Sequence, residues 1–135
     1  MKYLLDTDTC VYALRGRASV REKLEAVGIE TIAISVITLA ELRYGAACSA
    51  RPLENQQAVD DFIQGLDLLG VDPAVARQFG EVKAGLRLSG KLIEDFDLLI
   101  AATAFAFDLI LVSNNYNHFQ RIPGLQLETW VQKSA

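Results

Sequence analysis

Leu109-Ile110-Leu111-Val112, closed by Ser113-Asn114-Asn115, is the stretch on which the fold turns. Four apolar, β-favouring residues followed by paired asparagines read as a short strand ending in a turn. Immediately before it, Phe96, Ile100, Thr103 and Phe107 recur at spacings of four, three and four. That spacing predicts a helix over Phe96 to Phe107. Its other faces are apolar too, so the helix is expected to be buried on several sides against a sheet. Outward along the chain the alternation repeats. Tyr3-Leu4-Leu5 reads as the first strand, Thr31 to Ser35 as the second and Leu69 to Val71, ended by Asp72-Pro73, as a weaker third. Leu109 to Val112 is then the fourth, and Leu125 to Thr129 adds an edge strand. Helices are predicted over Val36 to Ala47, Leu53 to Leu66 and Pro73 to Leu88, the last with Val75, Phe79, Val82 and Leu86 on one face. Strands alternating with helices define an α/β fold with a mainly parallel sheet of four to five strands.

The chain has 135 residues, enough for one compact domain over 1–135 and too few for two. About half of them, 51%, are apolar, which excludes a disordered chain. The net charge of −4 argues against a generic polyanion binder, since non-specific nucleic-acid affinity comes from Lys and Arg. It is weak evidence against a nuclease whose metal ions carry the charge. Asp6 interrupts the opening apolar residues, so no signal peptide is expected, and the uncharged stretch Leu98 to Phe107 is too short to span a bilayer. Cys10 and Cys48 lack paired-motif spacing and are expected to be buried, reduced thiols. The chain reads as cytoplasmic, without membrane contact.

In open parallel sheets ligands bind beyond the carboxyl ends of the strands. Asp6 follows the first strand and Asn114-Asn115 the fourth, at the same edge. Asp97 lies in the first turn of the buried helix, and Glu41 sits inside the otherwise apolar helix Val36 to Ala47. Each has a plainer explanation alone. Asp6 could end a strand by turn chemistry, Asp97 could complement a helix dipole, and Glu41 could face solvent or pair with an Arg. Their convergence on one edge is the stronger reading. Clustered carboxylates need a compensating cation, and oxygen donors favour Mg²⁺ or Mn²⁺. Zinc is disfavoured, because His118 is the only histidine and the cysteines are scattered. With one histidine, paired-histidine RNA cleavage is unavailable. No G-x-S-x-G elbow or phosphate-binding G-x-x-x-x-G-K-[ST] loop occurs.

Four segments then carry a family likeness: Tyr3-Leu4-Leu5-Asp6-Thr7-Asp8, Ser35 to Gly45 around Ala40-Glu41-Leu42-Arg43, Asp95-Phe96-Asp97-Leu98-Leu99-Ile100-Ala101-Ala102, and Leu111 to Asn115. With the closing Phe119 to Leu125 and Glu128-Thr129-Trp130, the chain resembles the PIN-domain ribonucleases from end to end. Within them it resembles the VapC-like toxins of toxin–antitoxin pairs. The resemblance implies a three-layer α/β/α sandwich and a metal-dependent endoribonuclease. It makes Asp6 and Asp97 the principal metal ligands, with Glu41 completing the acidic site. Many relatives place another Asp where this chain has Asn115, so Asn115 would be a fourth, neutral group. One ion is then at least as reasonable as two. Asp8 would restore a carboxylate nearby, and Asp95 is either a supporting acid or a helix-start residue. The resemblance also implies a VapB-like antitoxin, a homodimer and a structured RNA substrate, with tRNA suggested by analogy. Arg43, Arg87, Lys91, His118 and Arg121 are the candidates for RNA-phosphate contacts.

Two other readings stay open. Leu5-Asp6-Thr7-Asp8-Thr9 approaches the D-x-D motif of haloacid-dehalogenase-like phosphatases, although that family's later acidic motif would come before Ser113 rather than after it. A non-catalytic PIN-like RNA-binding module would fit if an acid were missing, but Asp6, Glu41 and Asp97 are all present.

Overall fold

The two strands Tyr3–Leu5 and Ile32–Ser35 are short runs buried at every position, as in a sheet covered on both faces. The computed structural model describes residues 1–131. Its strands are β1 (Tyr3–Leu5), β2 (Ile32–Ser35), β3 (Asp67–Leu69), β4 (Ile110–Val112) and β5 (Leu127–Glu128). They lie in the order β3-β2-β1-β4-β5, and every pairing is parallel. Leu4, Ala33 and Leu111 face one core; Tyr3, Leu5, Ile32, Ile34 and Val112 face the other. This is the three-layer α/β/α sandwich expected from sequence.

The helices are α1 (Thr7–Leu14), α2 (Ala18–Val27), α3 (Val36–Ala47), α4 (Pro52–Ile63), α5 (Pro73–Leu88), α6 (Asp95–Ala106) and the single turn α7 (Tyr116–Phe119). Three are started by side chains that satisfy free backbone donors. Asp6 accepts from Thr9 N at 2.9 Å, Ser35 from Ile37 N at 3.0 Å and Asp72 from Val75 N at 2.9 Å. Two of these caps sit directly at a strand's end, so β1 passes into α1 and β2 into α3 without a loop. In α6, Leu98, Ile100, Ala101, Ala102, Thr103 and Ala104 are all buried. Its small residues let the helix lie close against α5 and the sheet, and Ile100→Ala there would cost about 2–5 kcal/mol.

Several sequence expectations shift. β3 ends two residues earlier than predicted, because Asp72 must cap α5 and Val71 leads into it. Helix α4 stops at Ile63 rather than Leu66, and Gly65 follows with a left-handed φ of 82°. Phe96 is 52% exposed instead of facing the core, since it stands in the first turn of α6 before the helix reaches the sheet. Cys10 is buried, but Cys48 at the end of α3 is exposed, contrary to the expectation of two buried thiols. Helices α1, α2 and α7 lie where the sequence pattern predicts no helix.

Candidate active site

With strand order 3-2-1-4-5, the chain winds in opposite directions from β1, so the crevice beyond β1 and β4 is the topological switch point. Asp6 occupies it. Its backbone N–H continues the ladder to Val112 O at 3.1 Å, and its carboxylate accepts from Thr9 N and, at 2.6 Å, from Ser113 Oγ. Only 4% of the residue is exposed. Burial pushes its carboxyl up to about 6, despite the hydrogen bonds from Ser113 and Thr9 that pull the other way. Ser113 is itself anchored, accepting from Asn115 N at 2.9 Å and donating its backbone N–H to Glu128 O.

Glu41 belongs to the same edge because α3 starts at the end of β2. Thr7 Oγ1 donates to Glu41 Oε1 at 2.6 Å and lies 3.3 Å from the buried Thr38 Oγ1. Glu41 is therefore partly buried and held by Thr7, and it is not the partner of Arg43. Asp97, half-buried in the first turn of α6, is the third acid. Burial raises its pKa foremost; Glu94 and Glu41 raise it further, while His118 lowers it. His118 Nδ1 lies 3.7 Å from Asp97 Oδ2 and 2.8 Å from Asn115 Nδ2, which joins α7 to the same edge.

Other sequence candidates lie elsewhere. Arg43 is not presented beside the acids: two positions from Glu41 it faces α4, where its guanidinium donates to Gln56 O, Gln56 Oε1 and Asp60. Asp95 pairs with Lys83 at 2.8 Å, bracing α6 against α5. Asp8 and Asn114 are exposed, and Arg87 is exposed in the last turn of α5. Lys91 and Arg121 line one open depression with Asn117 and Gln120, the residues flanking His118 and Arg121. Thr7 and Ser113, which hold two of the acids, were not assigned roles from sequence. Thr7 adjoins Asp6 and Ser113 adjoins the end of the fourth strand, and that adjacency is the available signal.

Among the described residues no group of three or more His, Cys, Asp or Glu side chains forms a ready-made metal cage. The donors at this edge are carboxylate oxygens, two of them on groups whose pKa burial raises. A hard divalent cation held by one or two carboxylates, with water filling the remaining positions, fits such an edge.

The PIN domain model matches residues 3–125. The tRNA(fMet)-specific endonuclease VapC of Shigella flexneri is 37% identical over 131 residues, covering 96% of this chain and 98% of that protein. Ribonuclease VapC2 of Rickettsia felis is 41% identical over 132 residues, covering 96% and 98%. Among solved structures, DNA-bound VapBC from Salmonella typhimurium superposes with a TM-score of 0.92 at 36% identity, covering 97% of this chain and 99% of that one. VapBC2 from Rickettsia felis, bound to a promoter fragment, gives 0.90 at 38% identity, covering 97% and 100%. No helix among the described residues is long and apolar enough to cross a membrane. With Asp6 at the switch point of a parallel sheet and these relatives matching almost its full length, the chain belongs to the PIN-domain family, in its VapC branch.

Proposed function

We propose that the chain is a divalent-metal-dependent endoribonuclease, the toxin of a toxin–antitoxin pair, formed by a single PIN domain over residues 1–135. The observation that supports this reading is a chain of contacts linking three segments that carry acids: Thr7, next to Asp6, bonds Glu41, Ser113 bonds Asp6, and Asn115 links Ser113 to His118 beside Asp97. Asp6 and Asp97 hold the ion, Mg²⁺ or Mn²⁺, and Glu41 completes the acidic set. When bound, the ion supplies positive charge to the scissile phosphate and makes water more acidic.

The chain's own residues do the rest. Ser113 and Thr9 hold the Asp6 carboxylate in place at the end of β1. Thr7 fixes Glu41 through Oε1, leaving Oε2 to orient the attacking water and accept its proton. In-line attack by that water leaves a 5′-phosphate and a 3′-hydroxyl. Lys91 and Arg121, in their shared depression, contact RNA phosphates, and Arg87 and His118 are further candidates for such contacts. Arg43 is withdrawn from that set because its guanidinium binds α4.

The substrate proposed is structured RNA, with tRNA first in view of the Shigella flexneri relative. A VapB-like antitoxin is the proposed partner, as in the VapBC complexes, and the proposed state is a cytoplasmic homodimer. The test is end chemistry. Fragments made from total tRNA should ligate directly to an adaptor that requires a 5′-phosphate. Fragments carrying 2′,3′-cyclic phosphates would instead show attack by the RNA's own 2′-hydroxyl and refute the water mechanism.

A further inference from the structure

Asn115 lies just past β4, at the same edge as Asp6, and its amide is already engaged. Asn115 Nδ2 lies 2.8 Å from His118 Nδ1, one turn along α7, and the backbone N–H of Asn115 donates to Ser113 Oγ, the hydroxyl that holds Asp6. An amide nitrogen only donates. With the amide nitrogen donating, the imidazole nitrogen facing it accepts, and this pairing places the ring proton on Nε2. His118 Nδ1 also stands 3.7 Å from Asp97 Oδ2, so the ring borders the acids while remaining 41% exposed.

We propose that Asn115 is a positioning residue for His118 rather than a metal ligand. It holds the ring in the Nε2–H tautomer, so that Nε2 offers a hydrogen bond to a phosphate oxygen of RNA bound beside Asp97. For its substrate this rests on the ribonuclease reading; for the pairing it rests on geometry alone. The distinction has consequences of opposite sign. A metal-ligand role predicts that Asn115→Asp, which adds a carboxylate, maintains or improves cleavage. Under the positioning role the same change removes the donor, favours the Nδ1–H tautomer and lowers cleavage.

His118 is the only histidine, so its tautomer can be read without ambiguity from long-range ¹H–¹⁵N correlations on the metal-free, RNA-free chain. The Nε2–H pattern is expected in the native protein and its loss in Asn115→Asp. An Nδ1–H pattern in the native protein overturns the pairing, whether or not RNA is cut. Cleavage kinetics supply the second arm. Asn115→Asp and His118→Asn should each lower kcat/KM by about tenfold, the scale of one charged hydrogen bond. His118→Gln, whose amide nitrogen replaces Nε2–H, should recover most of that loss. In the His118→Gln background, Asn115→Ala should cost little more, because no tautomer remains to be set. Fully additive losses, or an Asn115→Asp variant as active as the native chain, overturn the proposal. Absence of cleavage by the native chain with the Nε2–H pattern intact would refute the ribonuclease reading and leave the pairing standing.

Discussion

Ser113 Oγ donates to Asp6 Oδ2 at 2.6 Å, joining residues 107 positions apart across the junction of β1 and β4. Both side chains are buried, and the bond opposes the upward push of burial on Asp6. Ser113→Ala should therefore raise the Asp6 pKa further and move the acidic limb of the cleavage pH profile toward alkaline pH. Loss of a donor to a buried carboxylate should also cost about 1–3 kcal/mol in urea unfolding. An unmoved acidic limb would show that Asp6 does not govern it.

Asp6 should destabilise the metal-free protein at neutral pH. Its folded pKa, about 6, lies above the ordinary 3.8. Between those values the native state binds more protons than the unfolded chain, so stability falls as pH rises through that window. The contribution is on the order of 3 kcal/mol at pH 7.5. Asp97 is raised as well, so its contribution has the same sign. In EDTA, Asp6→Asn should be more stable than the native chain at pH 7.5 by about 1–3 kcal/mol and nearly equal to it at pH 4, while losing cleavage. Urea melts at the two pH values measure this; equal stability at pH 7.5 would contradict it.

Thr7 acts through Glu41. Thr7→Val removes the 2.6 Å bond to Oε1 while preserving side-chain shape, so kcat should fall by about tenfold with little change in KM. Thr7→Ser should retain most of the rate. A fall in both variants alike would point to packing rather than the hydroxyl.

Arg43 and Lys91 should separate cleanly. Arg43→Ala breaks the ties to Gln56 and Asp60 between α3 and α4 and should cost about 1 kcal/mol of stability, given the partial exposure of the ion pair. RNA affinity should be unchanged. Lys91→Ala should leave stability alone, weaken RNA binding and reduce the salt dependence of binding by about one unit of slope. Binding isotherms at several salt concentrations distinguish the two.

What could be read from sequence follows from chain geometry. Asp6, Asp97 and Glu41 were recognisable because each stands at a predictable place: past a strand, in a helix's first turn, inside an apolar helix. Parallel order then sends them to one edge. The fourth strand and the Val75-Phe79-Val82-Leu86 face were equally legible, since periodicity reports burial directly. Helix α1 was not, because Thr7-Asp8-Thr9-Cys10 has no apolar period and the helix depends on the Asp6 cap and on burial of Cys10 and Ala13. Helix α2 is rich in charge, and only Val20 is buried. The partners of Arg43 could not be inferred, since α3 against α4 is a tertiary pairing that no local spacing encodes. The bonds of Thr7 and Ser113 depend on the same long-range placement.

One metal-dependent cleavage centre built by acids from separate segments has a simple signature when the purified, antitoxin-free chain is incubated with total tRNA and Mg²⁺, Mn²⁺ or EDTA, beside Asp97→Ala. Discrete fragments are predicted with metal only, and none from Asp97→Ala. Fragments that persist in EDTA or in the variant, or no cleavage by the folded native chain with either metal, would contradict it.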